Sequence, residues 1–305
     1  MPGICERLGS DVLVVQGAVG TYLAQRGFGG NTCALNLEEP DAIEQMHRLY
    51  RVAGADCAVS NTFLATSNRL AQEGLAAQTQ AINMEGVRLA RAAEFPHVLA
   101  AMGPCGIAVE PGSGTAALEA RLAGGERALE AQAQGVSEGY ACAREQYLEQ
   151  ASALAAAAPD AILLQTFTSL DDALAALDAA RQASDLPVLV CMSLVGLDAP
   201  DAAECAATLE RAGAAGVGVN CMDAQASEAA VAQMRAACKL PLVAMPSAGT
   251  PVSTPKGPVW RTNPDAFAEV AKRLVAAGAS VVGSCCGTTP SHTAAIYAAV
   301  GGMSC

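Results

Sequence analysis

A single-domain (β/α)8 TIM barrel is the fold this sequence predicts, and three observations predict it. Eight short apolar runs recur along the 305 residues, stretches with helical periodicity alternate with them, and no Ser/Gly/Pro linker divides the chain. An open doubly wound sheet is the alternative that the same alternation allows.

In chain order, the runs that read as buried strands are residues 12–16, 57–61, 99–103, 161–166, 188–192, 216–220, 242–245 and 281–284. Between them, Ala/Leu/Glu/Arg-rich stretches such as 41–53, 68–93, 171–183 and 264–277 read as helices. Gly54, Gly213 and Gly278 follow three of these helices and supply the left-handed residue that ends a helix and leads into the next strand. The one irregular segment, 104–125, is rich in Gly, Pro and Ala and forms either a lid over the strand ends or a loose surface loop. Residues 1–300 make up the barrel, and 301–305 form a tail expected to fray.

Composition narrows the function classes. A hydrophobic content of 52% with 16% charged residues supports a large single core. The formal net charge of −12 argues against a nucleic-acid or anionic-membrane surface, because phosphates would be repelled. No apolar run is long enough to span a bilayer. Twelve cysteines spread through a long chain with no N-terminal signal sequence point to a reducing cytoplasm rather than to a disulfide scaffold.

Two strand ends carry the chemistry. The run Val281-Val282-Gly283-Ser284 stops at Cys285-Cys286-Gly287, and Gly216-Val217-Gly218-Val219-Asn220 stops at Cys221. Neighbouring residues on a regular strand point to opposite faces, so adjacent thiols reach one point only where the backbone turns, which Gly287 permits. Cys221, Cys285 and Cys286 together would hold a zinc ion with its fourth position open, the pattern of catalytic zinc. The alternative is that they are buried, inert core thiols. Gln16-Gly17-Ala18-Val19-Gly20-Thr21, Ser60-Asn61-Thr62-Phe63, Gln165-Thr166 and Pro246-Ser247-Ala248-Gly249 also fall at C-terminal strand ends, where such barrels gather their reactive groups. No lysine lies at a strand end, which disfavours Schiff-base chemistry.

The phrases Gly17-Ala18-Val19-Gly20-Thr21, Gly54-Ala55-Asp56 with Asn61-Thr62-Phe63, Gly103-Pro104, Gly218-Val219-Asn220-Cys221 and Gly283-Ser284-Cys285-Cys286-Gly287-Thr288 resemble the homocysteine S-methyltransferase family, in order over nearly the whole chain. That family includes the homocysteine module of cobalamin-dependent methionine synthase. The resemblance implies a zinc-bearing barrel in which Cys221, Cys285 and Cys286 hold Zn2+ and a substrate thiol takes the open position. It implies that Gly17, Ala18, Gly20 and Thr21 shape the site for the acceptor's carboxylate, and that Gln16, Asn61 and Gln165 line its polar end. The default acceptor is homocysteine, giving methionine. The methyl donor is either a free compound such as S-methylmethionine or S-adenosylmethionine, or a methyl-corrinoid on a separate protein. The chain ends directly after its eighth unit, which leaves no room for the folate, cobalamin or activation modules of multidomain methionine synthases.

The sequence departs from the family at informative positions. Gln16 and Gln165 stand where relatives carry acidic residues that hold the substrate's ammonium, and an amide supplies no countercharge. Either the acceptor differs from homocysteine or its ammonium is held differently, unless both amides are simply tolerated in a homocysteine enzyme. The reading from another class is an accessory barrel that binds a thiol or a corrinoid partner without turnover. Ser247 replaces the asparagine common in the Pro-x-Ala-Gly loop.

The remaining candidates read as structural. His47, His97 and His292 lack metal-ligand spacing, and Glu38-Glu39 and Asp171-Asp172 are helix-start pairs that suit the helix dipole. Among the other cysteines, Cys105 is the one placed to face the pocket.

Overall fold

The computed structural model describes residues 2–123, 137–254 and 257–304. Its strands are β1 (Leu13–Val14), β2 (Cys57–Val59), β3 (His97–Met102), β4 (Ala161–Phe167), β5 (Val188–Met192), β6 (Gly216–Asn220), β7 (Leu242–Met245), β8 (Val252–Thr254), β9 (Gly257–Val259) and β10 (Ala279–Val282). Eight of them form one parallel sheet in the order β1-β10-β7-β6-β5-β4-β3-β2, while β8 and β9 pair as a separate antiparallel hairpin. Val15 bridges Cys57 in parallel, and the Gln16 N–H donates to the Cys57 carbonyl at 2.9 Å. The first strand therefore meets the second, and the sheet closes into a barrel instead of ending in two edges.

The strands are apolar throughout because both faces are buried. On β4, Ala161 and Leu163 join Leu99, Ala101, Leu189, Cys191 and Val243 in the barrel interior. Ile162 and Leu164 point the other way, into the layer shared with the surrounding helices. Gly218 lets β6 approach β7 closely, since a Cβ there would stand 1.9 Å from the Val243 carbonyl oxygen. Gly213 closes the helix Ala202–Ala212 in the left-handed conformation, with φ of 91°.

The floor, at the N-terminal ends of the strands, is stoppered by the short helix Ile4–Arg7, whose Ile4 packs into the interior cluster. Arg7 then pairs with Asp11 at 3.0 Å and Asp56 at 3.4 Å. The tail does not fray as expected over its described part. The Val12 N–H donates to the Met303 carbonyl at 2.8 Å, and Asp11 bridges Ser304.

Other expectations are corrected by non-local contacts. The segment 104–125 contains the helix Ser113–Ala123, and its last two residues lie outside the described ones. Asp171 caps that helix from another element, accepting the N–H groups of Gly112, Gly114 and Thr115 at 2.8, 2.8 and 3.1 Å. Asp172 takes the Tyr147 hydroxyl at 2.7 Å, so the pair does more than face a helix dipole. Glu38 ends the helix Leu35–Glu38, leaving only Glu39 at a helix start. The stretch 68–93 breaks into Ser67–Ala71, a 3-10 turn at Ala76–Gln78 and Thr79–Ala92, with Gly74 at φ of 74° in the gap. Among the described residues no helix is long and apolar enough to cross a membrane.

Candidate metal centre

Three strand ends build a sulfur cluster at the mouth of the barrel. Cys221 follows β6 with φ of 60°, and its N–H donates to the Met245 carbonyl at the end of β7. Past the end of β10, the Cys285 N–H donates to the Pro246 carbonyl at 2.8 Å, and the Cys286 carbonyl accepts the Ala248 N–H at 2.9 Å. The loop after β7 thus holds both cysteine segments. The ligand atoms of Cys221, Cys285 and Cys286 all lie within 4.8 Å of one another. The Cys221 and Cys286 sulfurs are 3.5 Å apart, and those of Cys285 and Cys286 are 4.0 Å apart. Tetrahedral zinc with about 2.3 Å bonds to sulfur requires sulfur–sulfur edges of roughly 3.8 Å. The donor set fits that ion in both number and spacing.

The vicinal pair is held by a turn. Gly287 has φ of 81°, and Trp260 fills the place of its missing side chain, 2.1 Å from where a Cβ would be. The Thr288 hydroxyl donates to the Cys285 carbonyl at 2.7 Å and accepts from the Ser284 hydroxyl at 3.0 Å and the Ala18 N–H at 3.1 Å. The Gly287 N–H donates to the Thr21 hydroxyl oxygen at 3.0 Å. These bonds fasten the cysteine turn to the loop after β1.

Asn220 joins the cluster to the end of β4. Fully buried, it accepts the Thr166 N–H at 2.7 Å and donates to the Thr166 hydroxyl oxygen at 2.7 Å, with the Cys285 sulfur 4.0 Å away. Thr166 has φ of 65°, so one amide steadies a left-handed backbone beside the metal loop. Among the three thiols, hydrogen bonds from Cys285 and Cys286 lower the value for Cys221. Its interaction with Cys221 raises Cys285 and pushes Cys286 up to about 11. A bound divalent cation would override this order and deprotonate all three.

A cavity of about 470 Å³ opens beside the sulfurs, lined by the three cysteines together with Gln16, Gly17, Ala18, Gly20, Thr21, Asn61 and Gln165. Their freedom to meet a ligand differs. The Ala18 N–H is taken by Thr288, and the Ala18 carbonyl accepts the Tyr50 hydroxyl at 2.8 Å, whereas the N–H groups of Val19 and Gly20 have no partner among the described residues. Asn61 is fully engaged in holding the neighbouring loop. Its amide donates to the Thr32 carbonyl at 2.7 Å and to the Asn36 side chain at 2.9 Å, and its oxygen accepts the Thr32 hydroxyl at 3.3 Å.

The two glutamines contrast. Gln16 is buried, donating through Nε2 to the Val59 carbonyl at 3.2 Å while its Oε1 lies 2.9 Å from His47 Nδ1. A carbonyl at one end of the amide fixes NH2 there, so the oxygen faces His47 and the imidazole carries its proton on Nδ1. Burial pushes His47 down to about 3, which keeps it neutral, and its Nε2 has no partner. Gln165 is half-buried, and its side chain has no hydrogen-bond partner among the described residues.

Cys105 does not line the cavity. It is buried beneath Tyr147, whose hydroxyl accepts the Cys105 N–H at 2.9 Å, and burial raises its thiol. His97 sits at the floor with Arg7 at 3.5 Å, and His292 caps the helix Pro290–Val300 with Nε2 2.9 Å from the Thr262 carbonyl. Sequence reasoning missed the tie from His47 to Gln16, because 31 residues separate them and no motif joins them.

Comparison with known proteins bears on this site. Methionine synthase of Mycobacterium leprae (strain TN) is 30% identical over 97% of this chain and 25% of its own length, so the chain spans about a quarter of that relative. Homocysteine S-methyltransferase of Escherichia coli (strain K12) is 28% identical over 94% of this chain and 95% of its own. The crystal structure of the metallated homocysteine methyltransferase MmuM from Escherichia coli superposes with a TM-score of 0.74 at 24% identity, covering 94% of this chain and 96% of that one. The family model for homocysteine S-methyltransferase matches residues 13–300, which is nearly the whole barrel, and the chain belongs to that family.

Proposed function

We propose that this barrel is a zinc-dependent thiol S-methyltransferase with homocysteine as its default acceptor and methionine as the product. The observation that carries the reading is the set of Cys221, Cys285 and Cys286 sulfurs, spaced as the edges of a tetrahedral site on the wall of the 470 Å³ cavity. A zinc ion held by these three would lower the pKa of a thiol at its remaining position, supplying a thiolate at neutral pH.

The chain's own residues do the rest. Asn220, Thr288 and the loop after β7 hold the sulfurs in place, and Ser247 directs its hydroxyl toward Cys221 at 3.9 Å. The unpartnered N–H groups of Val19 and Gly20 are suited to the acceptor's carboxylate. Phe28, Val59, Phe63 and Leu64 form apolar wall that excludes water from the reacting sulfur. In the transfer, the acceptor sulfur forms a bond to the methyl carbon as that carbon's bond to the donor breaks, and the thiol proton leaves to solvent. The donor is a free sulfonium compound or a methyl-corrinoid presented by a separate protein. The mycobacterial relatives named methionine synthase support the second route. The high proportion of free thiols suits a reducing, cytoplasmic setting.

Cys286→Ser tests the reading. Metal per chain should fall to below about a tenth, and transfer from S-methylmethionine, S-adenosylmethionine or methylcobalamin to homocysteine by at least about 1,000-fold. Unchanged metal content and activity in this variant would overturn it.

A further inference from the structure

Apart from the metal-binding thiols, the cavity beside the sulfur cluster has no carboxylate and no basic side chain among the described residues that line it. An ammonium taken out of water needs a countercharge or a full set of acceptors. Gln16 cannot be that acceptor in full, because its amide is held at both ends, by the Val59 carbonyl and by His47. Its place is also unsuited to a carboxylate, which would face the Val59 carbonyl oxygen without a proton to share. Asn61 is engaged by Thr32 and Asn36. Glu73 stands behind Gly30 at the rim, is exposed, and accepts the Asn31 N–H at 2.7 Å. A solvated carboxylate in that position contributes little to an ion pair.

Gln165 alone offers the cavity a polar side chain with no partner in the protein among the polar residues expected at this end. Its amide donates as readily as it accepts, so it suits a carboxylate, an amide or a hydroxyl as well as an amine. We infer that this pocket is built for thiol acceptors whose polar end carries no ammonium, and that Gln165 is the specificity-determining residue that reads that end. The inference rests on the thiol methyltransferase reading above and replaces its default acceptor, homocysteine, with an amine-free class. Amine-free mercaptocarboxylates are the simplest members, since they keep a group for the Val19 and Gly20 N–H donors and lack the charge the pocket does not match.

The test is equilibrium binding to the cobalt(II)-loaded full chain, which needs no methyl donor. Homocysteine and 4-mercaptobutyrate, the same carbon chain without its amine, are each titrated while the thiolate-to-metal absorption is followed. The expected result is that 4-mercaptobutyrate binds more tightly than homocysteine, by about tenfold. In Gln165→Glu the ratio should move by at least about tenfold toward homocysteine, as a charge-assisted contact replaces a neutral one. Gln165→Ala, which adds no charge, should weaken both thiols by about fivefold. Homocysteine binding as tightly as 4-mercaptobutyrate, or more tightly, in the unmodified protein would overturn the acceptor class while leaving the methyltransferase reading intact. Unchanged binding in both Gln165 variants would overturn the role of that residue. No change in the thiolate-to-metal absorption on adding either compound, cobalt being retained, would overturn the methyltransferase reading and the inference with it.

Discussion

At the floor of the barrel Arg7 meets Asp11 and Asp56, Arg91 meets Asp160 at 2.8 Å, and the Asp56 and Asp160 carboxylates also accept the N–H groups of Val14 and Val98 at 3.0 and 2.7 Å. At the mouth the described lining of the cavity carries thiols, amides, hydroxyls and apolar walls, with no carboxylate, ammonium, guanidinium or imidazole. Charge at the floor completes the hydrogen bonding where strands begin, and it does so beside solvent, where ions are tolerated. The mouth instead offers polarizable sulfur in neutral surroundings, where a divalent cation and an incoming thiol would be the dominant charges. Stability and chemistry are thus assigned to different ends and different side-chain types, and substitutions should separate them.

The strongest separation is expected at Gly287. Gly287→Ala places a methyl group at φ of 81° and 2.1 Å from the Trp260 ring, at atoms close to that residue's own backbone. A loss of about 2–4 kcal/mol in urea unfolding is expected, accompanied by weaker metal retention. A variant that unfolds earlier yet binds metal normally would show that the turn matters to the fold and not to the cluster.

Next in size is the pH response of His47. Burial pushes its pKa down to about 3, against about 6.5 in an unfolded chain. Between those values the unfolded chain binds a proton that the native protein does not. Stability is therefore complete above pH 6.5 and declines as pH falls below it, by about 1.4 kcal/mol per unit. Asp172, raised by burial to about 6, works in the opposite direction. Between about pH 4 and pH 6 it is protonated in the native protein while ionised in the unfolded chain, so its contribution is lost as pH rises through that window. The diagnostic quantity is consequently the difference between unmodified protein and His47→Gln, which keeps an N–H for Gln16. The variant should gain about 2 kcal/mol relative to the parent between pH 6.5 and 5 in denaturant titrations. Parallel curves would mean that His47 does not maintain the neutral wall of the pocket.

The smallest effect is expected at the floor. Asp56→Asn removes one half-buried ion pair with Arg7 while leaving an oxygen for the Val14 N–H, and should cost about 1 kcal/mol, less at high salt. Thiol binding at the mouth should not change. A shift in thiol affinity would break the division between the two ends.

The barrel was legible because each strand is apolar on both faces, so eight continuous runs stood out against helical periodicity. The three sulfurs were legible as a shared position, cysteine at the end of such a run. What escaped the sequence depended on partners far along the chain. The helix Ser113–Ala123 is small-residue rich and owes its start to Asp171, more than fifty positions away. The hairpin of β8 and β9 is short, with Val252, Ser253 and Thr254 all exposed, and has no burial pattern to read. Asn61 lines the cavity, and what its sequence context did not show is that its amide is also held by Thr32 and Asn36, a loop its own strand does not announce. Gln16 and Gln165 look alike in sequence, and only the packing of His47 and Val59 around one of them distinguishes a locked amide from an available one.

The two described termini of the polypeptide meet beneath the barrel, where Val12 takes the Met303 carbonyl and Asp11 bridges Ser304. A surface anchor or affinity handle attached near either extremity would therefore emerge on the side opposite the cysteines. Immobilised in that way, the molecule would present its reactive opening outward to whatever donor is supplied in solution.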